Sequence, residues 1–206
     1  MAEPTSEARR SWEEHYGERE RVWSGRVNAR LAEVAGPLTP GRALDIGCGE
    51  GADAVWLAEH RWQVTAVDVS QTALDRAAAE AKARNVAVDF QHHDLTESFP
   101  DGVFDLVSAQ FLHSTVPMDR AKLLRRAADA VAPGGVLLIV DHAAAPPWAS
   151  KMHHHEFPTV DEVLSSLNLD AAHWDQIRAE AAERQTTGPD GVDATLIDNV
   201  MVLRRR

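Results

Sequence analysis

From about residue 42 the chain alternates short apolar runs with longer alanine-rich stretches whose apolar positions recur at helical spacing. That is the pattern of strand-helix-strand units around a parallel sheet. Strands are predicted over 42–46, 63–68, 86–91, 103–109 and 136–141. Helices are predicted over 52–60, 70–84 and 117–131, with Ser70 as N-cap of the second and Pro133-Gly134-Gly135 stopping the third. After residue 142 the order changes. Residues 143–158, with Pro146-Pro147 and His153-His154-His155, read as a loop, and 160–167 as a short helix capped by Thr159. Residues 173–186 have the composition of a helix, yet Gly188-Pro189-Asp190-Gly191 and the apolar run 194–203 look like the turn and return strand of a hairpin. A strand is the preferred reading of 173–186. Ahead of the first strand, Trp12, Tyr16 and Trp23 stand among many charges, as in one or two helices laid over a sheet. The fold class expected is α/β: a doubly wound, mostly parallel seven-stranded sheet with a C-terminal antiparallel hairpin. One domain covers 1–206, divided into a helical lid (1–35), a ligand-binding core (40–142) and a substrate side (143–206).

A chain of 206 residues is long enough to bury a full core as a single domain. Its formal charge of −11 opposes general attraction to phosphate backbones, so nucleic acid is not an expected partner. Arg204-Arg205-Arg206 reads as a solvated tail. No apolar run approaches the ~18 residues of a membrane helix, and the polar start is unlike a signal peptide. The expectation is a cytoplasmic monomer or homodimer acting on a small molecule. Cys48, the single cysteine, forms no internal disulfide.

The candidate ligand site is Ala43-Leu44-Asp45-Ile46-Gly47-Cys48-Gly49-Glu50-Gly51, where a strand ends and a helix begins. A turn without side chains lets a ligand lie against the backbone at a helix N-terminus. With Ala52 the segment also satisfies the dinucleotide pattern G-x-G-x-x-G/A, and Asp68 stands nineteen residues after Gly49, where a carboxylate takes ribose hydroxyls. Asp45 separates the two ligand types. Its charge would repel a pyrophosphate but favour S-adenosylmethionine, which has an ammonium and a sulfonium and no phosphate. The plainer alternative is that Asp45 only caps the turn. Asp68, at the open end of a strand, is expected to be hydrated in the empty protein.

The segments ALDIGCGEG, VTAVDVS, HHDL, FDLVSAQFLHS and PGGVLLIVDH resemble, in order and over residues 40–142, the signature segments of class I S-adenosylmethionine-dependent methyltransferases. The resemblance implies their Rossmann-like fold and S-adenosylmethionine as cofactor. It places Asp45 near the methionine amino group, backbone contacts at Gly47, Cys48 and Gly49, and the ribose at Asp68 with Val69 beside it. Asp94 and Leu95 would meet the adenine, and Gln110 would lie beneath the cofactor. The lead-in Trp12 to Asn28 and the compact size resemble the thiopurine- and tellurite-resistance-type enzymes, which implies that Trp23 closes over the methyl donor. Its alternative is a packing anchor. The function implied is methyl transfer to a thiol, phenol, amine or chalcogen oxyanion. The alternatives are a nucleotide-binding oxidoreductase and a non-catalytic S-adenosylmethionine-binding module.

Methyl transfer from a sulfonium is an in-line displacement, so few catalytic residues are expected, and a base only where the acceptor must lose a proton. His113 is the candidate base, following the fourth core strand and titrating near neutral pH, with a pocket wall as its alternative. Tyr16 and His142 are candidate substrate contacts, and Asp141 shares the rim with His142. His153-His154-His155 with Glu156 invites a metal reading, but adjacent histidines seldom converge on one ion, and no metal is expected. Ala145-Pro146-Pro147-Trp148 is similar to the Pro-Pro-aromatic segment of nucleic-acid amino-methyltransferases. It follows the wrong strand, however, and begins with alanine where an amino group needs a polar partner. No aspartate ends the fourth strand as the magnesium-dependent catechol type requires.

Overall fold

The computed structural model describes residues 6–114, 116–148, 157–188 and 191–206. The N-terminal segment supplies α1 (Glu7–Gly17), capped by the Ser6 hydroxyl accepting from Arg9 N, and α2 (Ala29–Ala35). Then follow β1 (Arg42–Ile46), α3 (Ala52–Glu59), β2 (Gln63–Asp68), α4 (Gln71–Ala83), β3 (Asp89–His92), β4 (Phe104–Gln110), α5 (Arg120–Asp129) and β5 (Val131–His142). The C-terminal part adds α6 (Val160–Leu167), β6 (Trp174–Thr187) and β7 (Asp193–Arg205). Ser70 caps α4 and Thr159 caps α6 through a reciprocal capping box with Glu162, as their sequence positions predict.

The seven strands run in the order β3-β2-β1-β4-β5-β7-β6. β1 to β5 pair in parallel; β7 lies antiparallel between β5 and β6. The expected fold class is therefore observed. Side chains alternate across each strand, so the sheet has two apolar faces. One packs Leu31, Ala54 and Leu57 of α2 and α3 against Ala43, Ala66 and Leu106; the other packs Leu123, Leu124 and Val163 of α5 and α6 against Leu44, Val107 and Leu137. The order reverses at β1 and β4. Their C-terminal ends open the crevice in which open α/β sheets bind ligands.

Three elements start three or more residues away from the sequence reading. α5 begins at Arg120 rather than Pro117, because Asp119 caps it by accepting from Lys122 N. β5 runs back through the Pro-Gly-Gly stop to Val131, since Phe104 still pairs with that residue. β3 begins at Asp89 rather than Val86, where its pairing to Thr65 begins. Residues 174–187 are strand despite their helical composition. Pairing with β7 runs from Trp174↔Arg205 to Thr187↔Asp193 with one shift at Ile177, and a long ladder outweighs propensity differences of a few tenths of a kcal/mol per residue.

Candidate functional site

β1 delivers Asp45 and Ile46 to a turn in which Gly47 (φ +72°) and Gly49 (φ +53°) adopt left-handed conformations that strain any side chain. Gly47 N and Cys48 N both donate to Val67 O at 2.9 Å, tying the turn to the end of β2. A Cβ on Gly47 would lie 2.5 Å from Leu112 Cδ1, and one on Gly49 would lie 2.9 Å from Tyr16 Oη. The turn is thus enclosed by the loop after β4 on one side and by the N-terminal segment on the other.

Alternation along β1 puts Asp45 on the face of Ala43, toward α3. The residue is 2% exposed, and its Oδ2 has no hydrogen-bond partner. Burial, then the carboxylates of Asp53 and Asp68, push the Asp45 carboxyl well above the usual range. Across the β1–β4 pairing Asp45 sits opposite Ser108, whose hydroxyl accepts from Gln110 Nε2 at 3.1 Å; Gln110 Oε1 is likewise buried and unpartnered. Asp94 accepts from Thr96 N and Oγ1 on one oxygen and keeps the other buried without a partner. Unsatisfied buried acceptors each cost about 1–3 kcal/mol. Three at the ends of β1, β4 and β3 fit a ligand that brings a cation and N–H donors.

Asp68 departs from its expected hydration. It is 7% exposed, with Oδ2 accepting from Gly49 N at 2.8 Å and Oδ1 from Ser70 N at 2.9 Å. Burial raises its carboxyl, and these N–H bonds pull it back. The carboxylate therefore braces the turn, while each oxygen retains a second acceptor position open to a hydroxyl donor. Val69 follows, its carbonyl 2.8 Å from His92 Nε2. Leu95 is buried in the core, its carbonyl accepting from Arg126 Nη1 at 3.3 Å. Burial and the Asp68 and Asp45 carboxylates push the Cys48 thiol up, which keeps it protonated.

Tyr16 is 3% exposed and Trp23 49%; Trp23 Nε1 donates to Tyr16 Oη at 3.0 Å directly over Gly49. Burial and the nearby Asp68 carboxylate push the Tyr16 hydroxyl far up, so it stays neutral. Two carboxylates that the sequence reading passed over hold this lid down. Glu50, inside the glycine turn, accepts from Val22 N and Trp23 N, and Asp53, in the first turn of α3, accepts from Asn28 N and Nδ2. Their partners lie 25 to 28 residues away, so each looked like an ordinary acidic residue at a helix start.

On the other side, Phe111 holds φ +50° while its N–H donates to Val140 O at 2.8 Å. Its ring stacks on His142 with centroids 4.4 Å apart, and His142 lies 6.0 Å from His113 and 6.2 Å from Phe157. Burial, then His113, lower the His142 pKa, favouring a neutral imidazole. His113 itself is exposed, one residue beyond the Leu112 that covers Gly47. Buried Asp141 pairs with Arg120, whose Nε donates to Leu112 O at 3.1 Å and so fixes this loop. Beside the aromatic cluster a cavity of about 420 Å³ is lined by Phe157, Asp161, Glu180 and Asn199. The His153-His154-His155-Glu156 segment lies outside the described residues; among the described residues no three His, Cys, Asp or Glu side chains are placed to hold a metal ion.

A family model described as a methyltransferase domain matches residues 43–135. Over that stretch the chain is similar to the methyltransferase domains whose signature segments it carries, those of the class I S-adenosylmethionine-dependent type. It is 37% identical over 112 residues to ribosomal RNA small subunit methyltransferase C of Alcanivorax borkumensis, and 38% identical over 127 residues to 27-O-demethylrifamycin SV methyltransferase of Amycolatopsis mediterranei. These matches take in 52% and 59% of this chain but only 34% and 46% of those relatives. Among solved structures, a protein of echinomycin biosynthesis, from work on converting a disulfide bond into a thioacetal group, superposes with TM-score 0.71 at 24% identity, covering 95% of this chain and 92% of its own. TehB from Haemophilus influenzae gives 0.68 at 16% identity, covering 94% and 67%. These two likenesses extend the shared fold beyond the matched stretch to about 95% of the chain. The matched stretch thus contains the glycine turn, the unpartnered oxygens of Asp45, Gln110 and Asp94, and the braced Asp68. Tyr16, Trp23 and His142 lie outside it, and His113 within it.

Proposed function

We propose that the chain transfers the methyl group of S-adenosylmethionine to a small-molecule thiol, phenol, amine or chalcogen oxyanion. The observation that carries this reading is the buried, unpartnered Asp45 carboxylate under the glycine turn, flanked by Asp53 and Asp68. That turn takes a cation and repels a pyrophosphate. When bound, S-adenosylmethionine supplies a methyl group on an electrophilic sulfonium. Asp45 would hold its ammonium, the free acceptor positions of Asp68 its ribose hydroxyls, and Asp94 an N–H of its adenine, with Gln110 beneath. Tyr16 and Trp23 exclude water from the turn. His113 is assigned the proton of the acceptor, and His142, stacked on Phe111 and edge-on to Phe157, the wall against which the acceptor lies.

A small acceptor is supported by the net charge of −11 and by the rim of rings beside the 420 Å³ cavity. A rifamycin methyltransferase among the relatives agrees with it. Nucleic-acid bases are not proposed, although one relative is a ribosomal RNA enzyme: the Pro146-Pro147-Trp148 segment follows β5 and offers no polar group to an amino acceptor. The test is a methyl-release assay over thiols, phenols, amines and chalcogen oxyanions. Methylated product and equimolar S-adenosylhomocysteine are expected from at least one class. Tight cofactor binding with no transfer to any class would make the chain a binding module instead.

A further inference from the structure

Between the end of α1 at Gly17 and the start of α2 at Ala29 the lid has no regular secondary structure. It is tethered at both ends. Glu13 of α1 accepts from Thr72 Oγ1 at 2.6 Å and from Gln71 N at the start of α4, and Asn28 is held by Asp53. Tyr16 at the end of α1 and Trp23 in the intervening stretch lie over Gly49, and half-exposed Trp23 contributes only part of its ring to packing there. The middle is fastened by two ion pairs, a long exposed one between Arg21 and Glu80 at 3.5 Å and a short one between Arg76 and Glu50 that also grips the backbone. Glu50, itself 7% exposed, accepts from Trp23 N at 2.9 Å, from Val22 N at 3.1 Å and from Arg76 Nη1 at 2.9 Å. The same guanidinium turns its Nη2 to Tyr16 O and Arg19 O, both at 2.8 Å.

We propose that Arg76 and Glu50 form a latch that positions the lid aromatics over the glycine turn, and that opening this latch sets how fast the cofactor product leaves. The inference rests on the functional reading above for the identity of the ligand. Neither residue is placed at the reacting atoms; both act by positioning Tyr16 and Trp23. The fork geometry explains why an arginine stands here: it grips one carboxylate and two carbonyls at once, which an ammonium on a flexible stem does not reproduce. A latch of charge rather than apolar surface opens without exposing a core. An open cavity of about 280 Å³ beside it, lined by Glu20, Arg21, Glu50, Arg76 and Glu80, admits water and ions to the pair. Lid opening and product release limit many enzymes of this kind.

Two measurements on the full chain test the latch. Amide hydrogen exchange needs no ligand: Val22 and Trp23 should lose protection by about tenfold in Arg76→Ala, the scale of one charge-assisted hydrogen bond, while the β1 amides keep theirs. Stopped-flow release of S-adenosylhomocysteine, read through tryptophan fluorescence, should accelerate by about tenfold in Arg76→Ala and in Glu50→Gln. Arg76→Lys should fall between these variants and wild type, because it keeps the ion pair and loses the fork. Unchanged exchange at Val22 and Trp23 would overturn the latch. So would release at the wild-type rate from both variants, and in that case the functional reading would stand. Failure of wild type to bind S-adenosylhomocysteine would overturn the functional reading instead and leave the exchange result to decide the latch.

Discussion

Around the glycine turn the protein buries carboxylates: Asp45, Asp53 and Asp68 lie close enough to influence one another, and Glu50 joins them at the edge. Across the crevice, after β4 and β5, it gathers rings instead, with Phe111, His113, His142 and Phe157 in stacked or edge contact. The first region is preorganised for a cation and for hydroxyl donors, and its acceptors stay costly until a ligand satisfies them. The second region pairs its buried charge, Asp141 with Arg120, and presents rings. Under the proposed function the first half binds and the second reacts, so the two should respond to different perturbations.

The largest separation is expected from His113→Asn. If His113 removes the proton of a neutral acceptor such as a phenol, turnover should fall by about 10²–10⁴, the usual scale of general-base catalysis, with cofactor affinity unchanged. The check is a rate profile across pH, in which the variant loses a limb near the histidine's own pKa. Wild-type turnover in the variant would reduce His113 to a pocket wall.

Next comes Asp68→Ala, which should weaken cofactor binding by at least about tenfold through loss of the ribose acceptor. Because Asp68 also braces Gly49 N and Ser70 N, the variant should lose about 2–4 kcal/mol of stability as well. Denaturant unfolding beside calorimetry separates the two effects; full stability would mean that the brace carries no weight.

A smaller effect concerns pH and runs in opposite directions for stability and binding. In the empty protein the Asp45 carboxyl is raised above its unfolded value, so the native state holds its proton more tightly. That contribution is present at low pH and is lost as pH rises from the ordinary carboxylate range through the raised native value. A bound ammonium favours the ionised form, so affinity should climb with pH over the same window, by at most about tenfold per unit, with release of a proton. Asp45→Asn should therefore be more stable than wild type at neutral pH, bind at least about tenfold more weakly and release no proton. Titrations in two buffers of different ionisation enthalpy count that proton.

The carboxylate half was largely legible in the sequence because its chemistry lies within short segments: Asp45 to Gly51 is one turn, and Asp68 and Asp94 each follow a core strand. What escaped was the tie between distant segments. Nothing about Glu50 or Asp53 announces Val22, Trp23 or Asn28 as partners, and the bracing of Asp68 depends on how far the turn folds over it. The ring half was legible only as a place. The positive φ of Phe111, its stacking on His142 and the Arg120 anchor on Leu112 O all depend on where the β4–α5 loop settles against β5. Residues 174–187 make the same point, since their composition favours helix and their partner strand decides otherwise.

The central claim is that buried charge under the glycine turn selects S-adenosylmethionine over a dinucleotide. Its most direct test is a pair of calorimetric titrations of the wild-type protein, one with S-adenosylhomocysteine and one with NAD. The account predicts micromolar binding of the first and no heat from the second. Binding of NAD alone, or two flat titrations, would contradict it.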